Sequence, residues 1–343
     1  MRRSRRVRWV IGITVLSLIG TGIGLVLART ATPPQKLLAA ALSFDKSHDV
    51  FTNDVGLSFI VDPALLMSSG AGKDGIPSID APVYIPANAA DEWLSDDELV
   101  MALNYQGITR AYPLQILVWH EIVNDFVGST PVLITYCPLC GSGMAYDRTI
   151  DGAPIEFGTS GKLYNSNLVL YDRTTGTFWS QMNGLAIVGE RSGLQLAPIR
   201  LDTVTWGEWK IAHPESEVLS RDTGFERNYG NDPYGSYYED SHIWFPVQAR
   251  DDRIHPKSVV IGIEVNGSFV AYRELDVASR GTIQDRVNGI RIRITQDASG
   301  EINVVNLSTQ ELISKERSFW FAWYAFHPDT RLYLPSDWTY SPL

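Results

Sequence analysis

Both cysteines of the chain fall in one short string, Cys137-Pro-Leu-Cys140, followed by Gly141. Three chemistries fit such a turn. Its two thiolates can face one metal ion while backbone N–H groups face the sulfurs. They can close a disulfide, which an oxidising compartment preserves. They can also act as a reactive dithiol, a role helped by a helix N-terminus that lowers the pKa of the first sulfur. Gly141-Ser-Gly143 and the strand-like Met144-Ala-Tyr146 follow, so that helical setting is missing. A metal knuckle therefore leads, disulfide or dithiol redox comes next, and inert thiols come last. Zinc or copper is the ion these sulfurs would take.

One C-x-x-C supplies only two ligands, so histidine or carboxylate must complete a metal site. His120 is the first choice, with Glu121 or Asp125 orienting it from behind. A merely hydrogen-bonded histidine at the end of an element carries nearly equal weight. His213 and His327 stand in reserve. Each closes a W-x-x-W-x-x-x-H-P string, Trp206 to Pro214 and Trp320 to Pro328, followed by an acid and a hydroxyl residue. If helical, Trp206 and His213 are seven residues apart and share a face. The recurrence favours architecture, with the histidine capping or packing before proline. Glu156-Phe-Gly-Thr-Ser-Gly161 matches neither a P-loop nor a dinucleotide fingerprint. No serine sits in G-x-S-x-G, so hairpin turns outweigh hydrolase chemistry there.

The elements that must position these residues are short. Aromatic residues and glycines are spread through the chain, and brief alternating runs outnumber amphipathic helices, which predicts a β-rich α+β fold. A shift of 160 positions lays Leu99–Tyr136 on Val259–Gln296 with eight identities in 38 positions, among them Ala111-Tyr112 on Ala271-Tyr272 and Asp125 on Asp285. The W-x-x-W strings repeat at a shift of 114, which leaves copy one 46 residues longer. The sequence thus predicts an internally duplicated strand-hairpin unit with short helices: copy one at 98–220, an aromatic loop connector at 221–258 and copy two at 259–335, packed as one domain over 98–335. Positions 137, 140 and 120 fall on Asp297, Gly300 and Arg280. The chemistry-capable set belongs to copy one alone, with copy two as scaffold. The connector holds Tyr229, Tyr234, Tyr237 and Tyr238, as a cover over a site or as a self-packed link.

Ahead of these lie residues 30–97, read as a connecting region with a Gly/Ser-rich loop at 68–78, and residues 1–29. Arg2, Arg3, Arg5, Arg6 and Arg8 precede Val10–Ala28, which carries no charge. That run is about the ~20 residues of a transmembrane helix. The basic flank stays inside, so the body would be extracytoplasmic, on a single-pass cell-membrane anchor or after a cleaved signal peptide. No cysteine follows the run, so a lipoprotein anchor is excluded. With Arg29 and those five arginines set aside, 23 of the 29 basic residues face 39 acidic ones, a net charge of −16. Such a surface repels nucleic acid, which is excluded as a partner; the membrane is the one partner implied.

Several strings occur in order: Arg110-Ala-Tyr-Pro113, His120-Glu-Ile-Val-Asn-Asp125, Thr135-Tyr-Cys-Pro-Leu-Cys-Gly141, Phe157-Gly-Thr-Ser-Gly161, Tyr171-Asp-Arg173, Trp179-Ser-Gln181 and the Trp323 to Pro328 end. From Asp97 to Leu334 the chain resembles the prokaryotic family of domain of unknown function 3179. The resemblance implies no reaction, but it groups His120, Cys137 and Cys140. The leading expectation is an exported metal-dependent or thiol-redox protein acting through the C-P-L-C turn. The runner-up is a non-catalytic cell-surface binding or scaffold module, gripping a ligand with Tyr229–Tyr238 and stabilised by a disulfide.

Overall fold

Pairs such as Gln106-Gly107, Asn266-Gly267 and Asn288-Gly289 hold both residues at positive φ. That is the backbone of the tightest hairpin turn, whose twist matches that of the strands it joins. Alternating runs on either side of each pair therefore fold back on themselves. In a computed structural model, which describes Ser43–Phe44 and residues 49–335, these hairpins build a β-rich α+β body with a few short helices. The predicted membrane segment at 1–29 lies outside the described residues. Among the described residues, no helix is long and apolar enough to cross a membrane.

The first unit opens with β1 (Leu99–Tyr105) and β2 (Ile108–Pro113), then α1 (Leu114–His120), β3 (Ile122–Val127), β4 (Thr130–Cys137) and β5 (Ser142–Asp147). A longer excursion follows, containing β6 (Phe157–Tyr164), β7 (Asn167–Asp172), β8 (Phe178–Ser180) and β9 (Ala186–Val188). The unit closes with β10 (Asp202–Thr205), α2 (Trp206–Ala212) and β11 (Glu217–Leu219). Strand β10 runs antiparallel to β1, and β11 runs parallel to β2.

The second unit runs through the same order without the excursion. It comprises β12 (Val259–Val265), β13 (Ser268–Arg273), α3 (Glu274–Arg280), β14 (Thr282–Val287), β15 (Ile290–Gln296), β16 (Ile302–Asn306), β17 (Lys315–Phe319), α4 (Trp320–Phe326) and β18 (Arg331–Tyr333). The sheet order β10-β1-β2-β11 recurs as β17-β12-β13-β18, and β3-β4-β5 recurs as β14-β15-β16. Side chains repeat with the backbone. The Tyr112 phenol donates to Asp125 at 2.6 Å and the Tyr272 phenol to Asp285 at 2.6 Å. Trp209 Nε1 donates to Ser216 Oγ and Trp323 Nε1 to Thr330 Oγ1, both at 2.9 Å. His213 and His327 cap α2 and α4, their rings 4.0 and 4.1 Å from the Trp209 and Trp323 rings. Each histidine packs on the tryptophan four residues before it, one helical turn back.

Residues 49–97 are built into this body and do not simply lead up to it. Tyr84–Pro86 pairs with β11, Ile79 is buried in a bridge to Val123, and the strand Met67–Ser68 borders β6. Every one of these partners is remote in sequence. Local Gly and Ser content signals a loop but is silent about a strand whose ladder comes from elsewhere. The largest apolar core crosses both units, joining Cys137 and Cys140 to Trp320, Phe321 and Trp323 and to Tyr237 of the connector.

Candidate functional site

The cysteine string is the turn between β4 and β5. Cys137 ends one strand opposite Ser142, which begins the next. Pro138–Cys140 makes a single 3₁₀ turn, with proline where its fixed φ suits a helical start. Gly141 leaves the turn at φ 57°, and a Cβ there would lie 2.9 Å from the Phe319 ring of the second unit. Glycine is required on both counts. Both cysteines are free and buried. The Cys140 thiol donates to the Ser166 carbonyl, 3.4 Å away in the β6–β7 turn, and burial pushes its pKa up. The excursion peculiar to the first unit thus wraps the cysteine turn. Gln181 extends the wrapping, taking hydrogen bonds from Ser142 at 3.0 Å and Asn167 at 2.8 Å.

His120 is fully buried at the end of α1. Its Nδ1 lies 2.8 Å from the Pro77 carbonyl and its Nε2 2.6 Å from the Tyr229 hydroxyl. A carbonyl only accepts, so Nδ1 carries the proton and Nε2 accepts from Tyr229. Burial lowers the pKa and favours this neutral form. Asp125 does not orient His120 as the sequence suggested. Its carboxylate takes hydrogen bonds from Tyr84 and Tyr112 at 2.6 Å and from Arg110 at 2.8 Å, and is consumed by architecture. His213 and His327 are likewise committed as helix caps. Burial lowers His327 to about 4. Among the described residues no three His, Cys, Asp or Glu side chains form a group able to hold a metal ion.

Glu121 emerges as the more consequential neighbour. It ends α1 in the left-handed conformation, φ 58°, with its N–H on the Leu117 carbonyl at 2.8 Å. The equivalent residue of the second unit is Gly281, at φ 67°, with its N–H on Val277. A non-glycine residue there costs roughly 1–2 kcal/mol. The Glu121 carboxyl is also buried, with the Tyr234 hydroxyl donating to Oε1 at 3.2 Å. Burial pushes its pKa up to about 7, the value at which a carboxyl both takes and gives a proton near neutrality. Sequence reasoning placed Glu121 only behind His120. The 160-residue shift, carried one position further, sets it on Gly281 and would have singled it out.

The aromatic connector covers this ground. Tyr229 reaches His120, Tyr234 reaches Glu121, and the Tyr237 hydroxyl donates to the Leu139 carbonyl at 2.9 Å, inside the cysteine turn. Lys257 fixes the segment from beneath. Its ammonium lies 3.6 Å from the centre of the Tyr237 ring and bonds the Tyr237 carbonyl, Asp240 at 2.9 Å and the His242 carbonyl at 2.8 Å. Beside the turn, a cavity of about 190 Å³ is walled in part by Glu121, Leu139 and Tyr234.

Fold and site together define a β-rich protein of two like units, one of which carries a buried dithiol and a buried carboxyl beneath an aromatic cover. Over residues 73–311 the chain matches the family described as protein of unknown function DUF3179, and it belongs to that family. The match begins at Lys73, ahead of the domain that the sequence predicts over 98–335. No curated protein and no solved structure matches the chain.

Proposed function

We propose that this is a thiol-redox protein in which Cys137 and Cys140 cycle between dithiol and disulfide. The observation that carries the reading is the placing of both thiols in one buried turn beside Glu121, where the second unit has Asp297, Gly300 and Gly281. A disulfide substrate R–S–S–R balances the chemistry. With the Tyr234–Tyr238 cover displaced from the buried turn, the Cys137 sulfur attacks one substrate sulfur and the first RSH leaves. The Cys140 sulfur then attacks Cys137, releasing the second RSH and closing the protein disulfide. Both cysteine protons finish on the two RSH products, and Glu121, which lines the same cavity as Leu139 of the turn, is the buried carboxyl placed to take up the second in passing. An anchored, extracytoplasmic body, as the arginine-flanked apolar run suggests, would work where disulfides persist.

A metal reading narrows under the same geometry. Zinc takes four ligands in structural sites, and the turn offers two. Copper(I), a soft ion selected by thiolates, is the ion for which the pair is suited. One experiment separates the readings: thiols and bound metal counted together on protein purified without chelator, then equilibrated with oxidised and reduced dithiothreitol. The expected result is one disulfide per chain, formed and reversed with the buffer, and slower in Glu121→Gln. Thiols that stay free under excess oxidant would sink the redox reading. Stoichiometric copper lost in a Cys137→Ala, Cys140→Ala variant would replace it with a metal-carrying role.

A further inference from the structure

The cavity beside Glu121 has a wall of unusual make-up. Its lining contains one acid, Glu121, and one base, Lys162, set among apolar and aromatic side chains that include Leu163, Leu168, Trp244 and Phe245. Glu121 is 6% exposed, and among the described residues Tyr234 is its one side-chain hydrogen-bond partner. A carboxylate offers about four acceptor positions, so most of this one's capacity is unfilled. The remaining acceptor capacity is free to serve whatever enters the cavity that Glu121 lines. The backbone adds a second oddity, since the residue sits in a conformation for which the second unit uses Gly281.

We infer that this cavity binds a small zwitterion, an amino acid with an apolar side chain, its ammonium on Glu121, its carboxylate toward Lys162 and its side chain against Trp244 and Phe245. A plain amine would satisfy Glu121 but leave Lys162 repelling it from the same wall. A plain acid would meet the reverse conflict. A zwitterion answers both, and pairs the buried carboxyl and the half-buried ammonium at once. The aromatic faces serve twice, as apolar surface for the side chain and as electron-rich surface near the ammonium. The volume is small beside the roughly 300–1,000 Å³ of drug-sized pockets, which suits a metabolite. This inference goes beyond the redox reading and stands without it, because neither cysteine lines the cavity.

The test is calorimetric titration of the full chain with leucine, with isopentylamine (leucine without its carboxylate) and with 4-methylpentanoic acid (leucine without its ammonium). Leucine is expected to bind, and each truncated analogue to bind at least about ten-fold more weakly, as the loss of one partner from a desolvated charge pair requires. Glu121→Gln and Lys162→Met should each weaken leucine by a similar factor. Should Glu121→Gln fail to fold, Lys162→Met and the analogue series on the unaltered chain still decide. No heat with leucine, or equal binding of all three compounds, would overturn the inference. Thiol counts taken alongside keep its failure distinct from failure of the redox reading.

Discussion

At the end of α1 the chain turns through Glu121; at the end of α3 it turns through Gly281. The backbones agree, and the second residue is the one that the conformation favours. The same contrast runs through both units. Cys137 and Cys140 stand where the second unit has Asp297 and Gly300, and an excursion of several strands stands where the second unit has a short link from β16 to β17. One unit keeps the economical solution at each position. The other carries strain, buried thiols and a buried carboxyl at the corresponding places. Locally costly features gathered on one of two otherwise equivalent frames point to function.

The comparison can be broken hardest at its shared buttress. Asp125 and Asp285 each accept from a tyrosine and an arginine, but the Asp125 side chain is only 3% exposed, while Asp285 pairs with an Arg331 side chain that is 46% exposed. Asp125→Ala strips the Tyr84 and Tyr112 hydroxyls of their acceptor, leaves Arg110 with Glu217 and the Phe126 carbonyl alone, and should cost about 3–5 kcal/mol in urea denaturation. Asp285→Ala should cost about 1–2 kcal/mol, because Arg331 can turn to water. Equal losses would mean that the units are buttressed alike.

The next largest effect is one of pH. Glu121 rises from its ordinary value of 4.5 to about 7 in the folded chain, so the folded state holds its proton more tightly than the unfolded one. Its contribution is fully present below pH 4.5 and is lost as the pH rises through about 7. The loss is on the order of 3 kcal/mol at most. Unfolding curves at pH 5 and pH 8 should therefore converge in Glu121→Gln relative to the unaltered chain. An unchanged gap would show that the carboxyl is better solvated than its burial implies.

The smallest effect tests how far the frames are interchangeable. Gly262 of β12 stands where β1 has Ala102, yet a Cβ at 262 would lie 2.3 Å from the Trp323 ring. Gly262→Ala makes the second unit resemble the first in sequence and should still destabilise it, by about 1–3 kcal/mol in thermal unfolding, because the ring has no room to retreat. A neutral result would show that the two tryptophans share one packing geometry.

Much of this was legible in the chain. The repeat could be read because Ala-Tyr, Asp and the W-x-x-W strings are constrained in both units by the same hydrogen bonds, and such constraints leave identities behind. Cys137 and Cys140 stood out by scarcity. What escaped depends on partners distant in sequence. Asp125 reads as a histidine's companion until Tyr84 and Arg110 fold onto it. Tyr234 and Lys257 belong to a segment with no regular pattern, and only the folded chain brings them over Glu121 and the cysteine turn. The strand Tyr84–Pro86 takes its ladder from β11, more than a hundred residues away, so its own composition announces nothing.

A final consequence concerns assembly. A chain with two nearly identical frames can pair the strands of one with those of the other, a failure typical of repeated architectures. Here the closing strands carry opposite labels. In the first unit Arg110 of β2 lies beside Glu217 of β11, joined at 2.8 Å; in the second, Val270 of β13 lies beside Arg331 of β18. Were β18 to dock on β2, two guanidinium groups would face each other across a parallel ladder, while Glu217 would lose its cation to a valine. The exchange is disfavoured electrostatically at one rung, so the charge pattern biases each half toward its own tail.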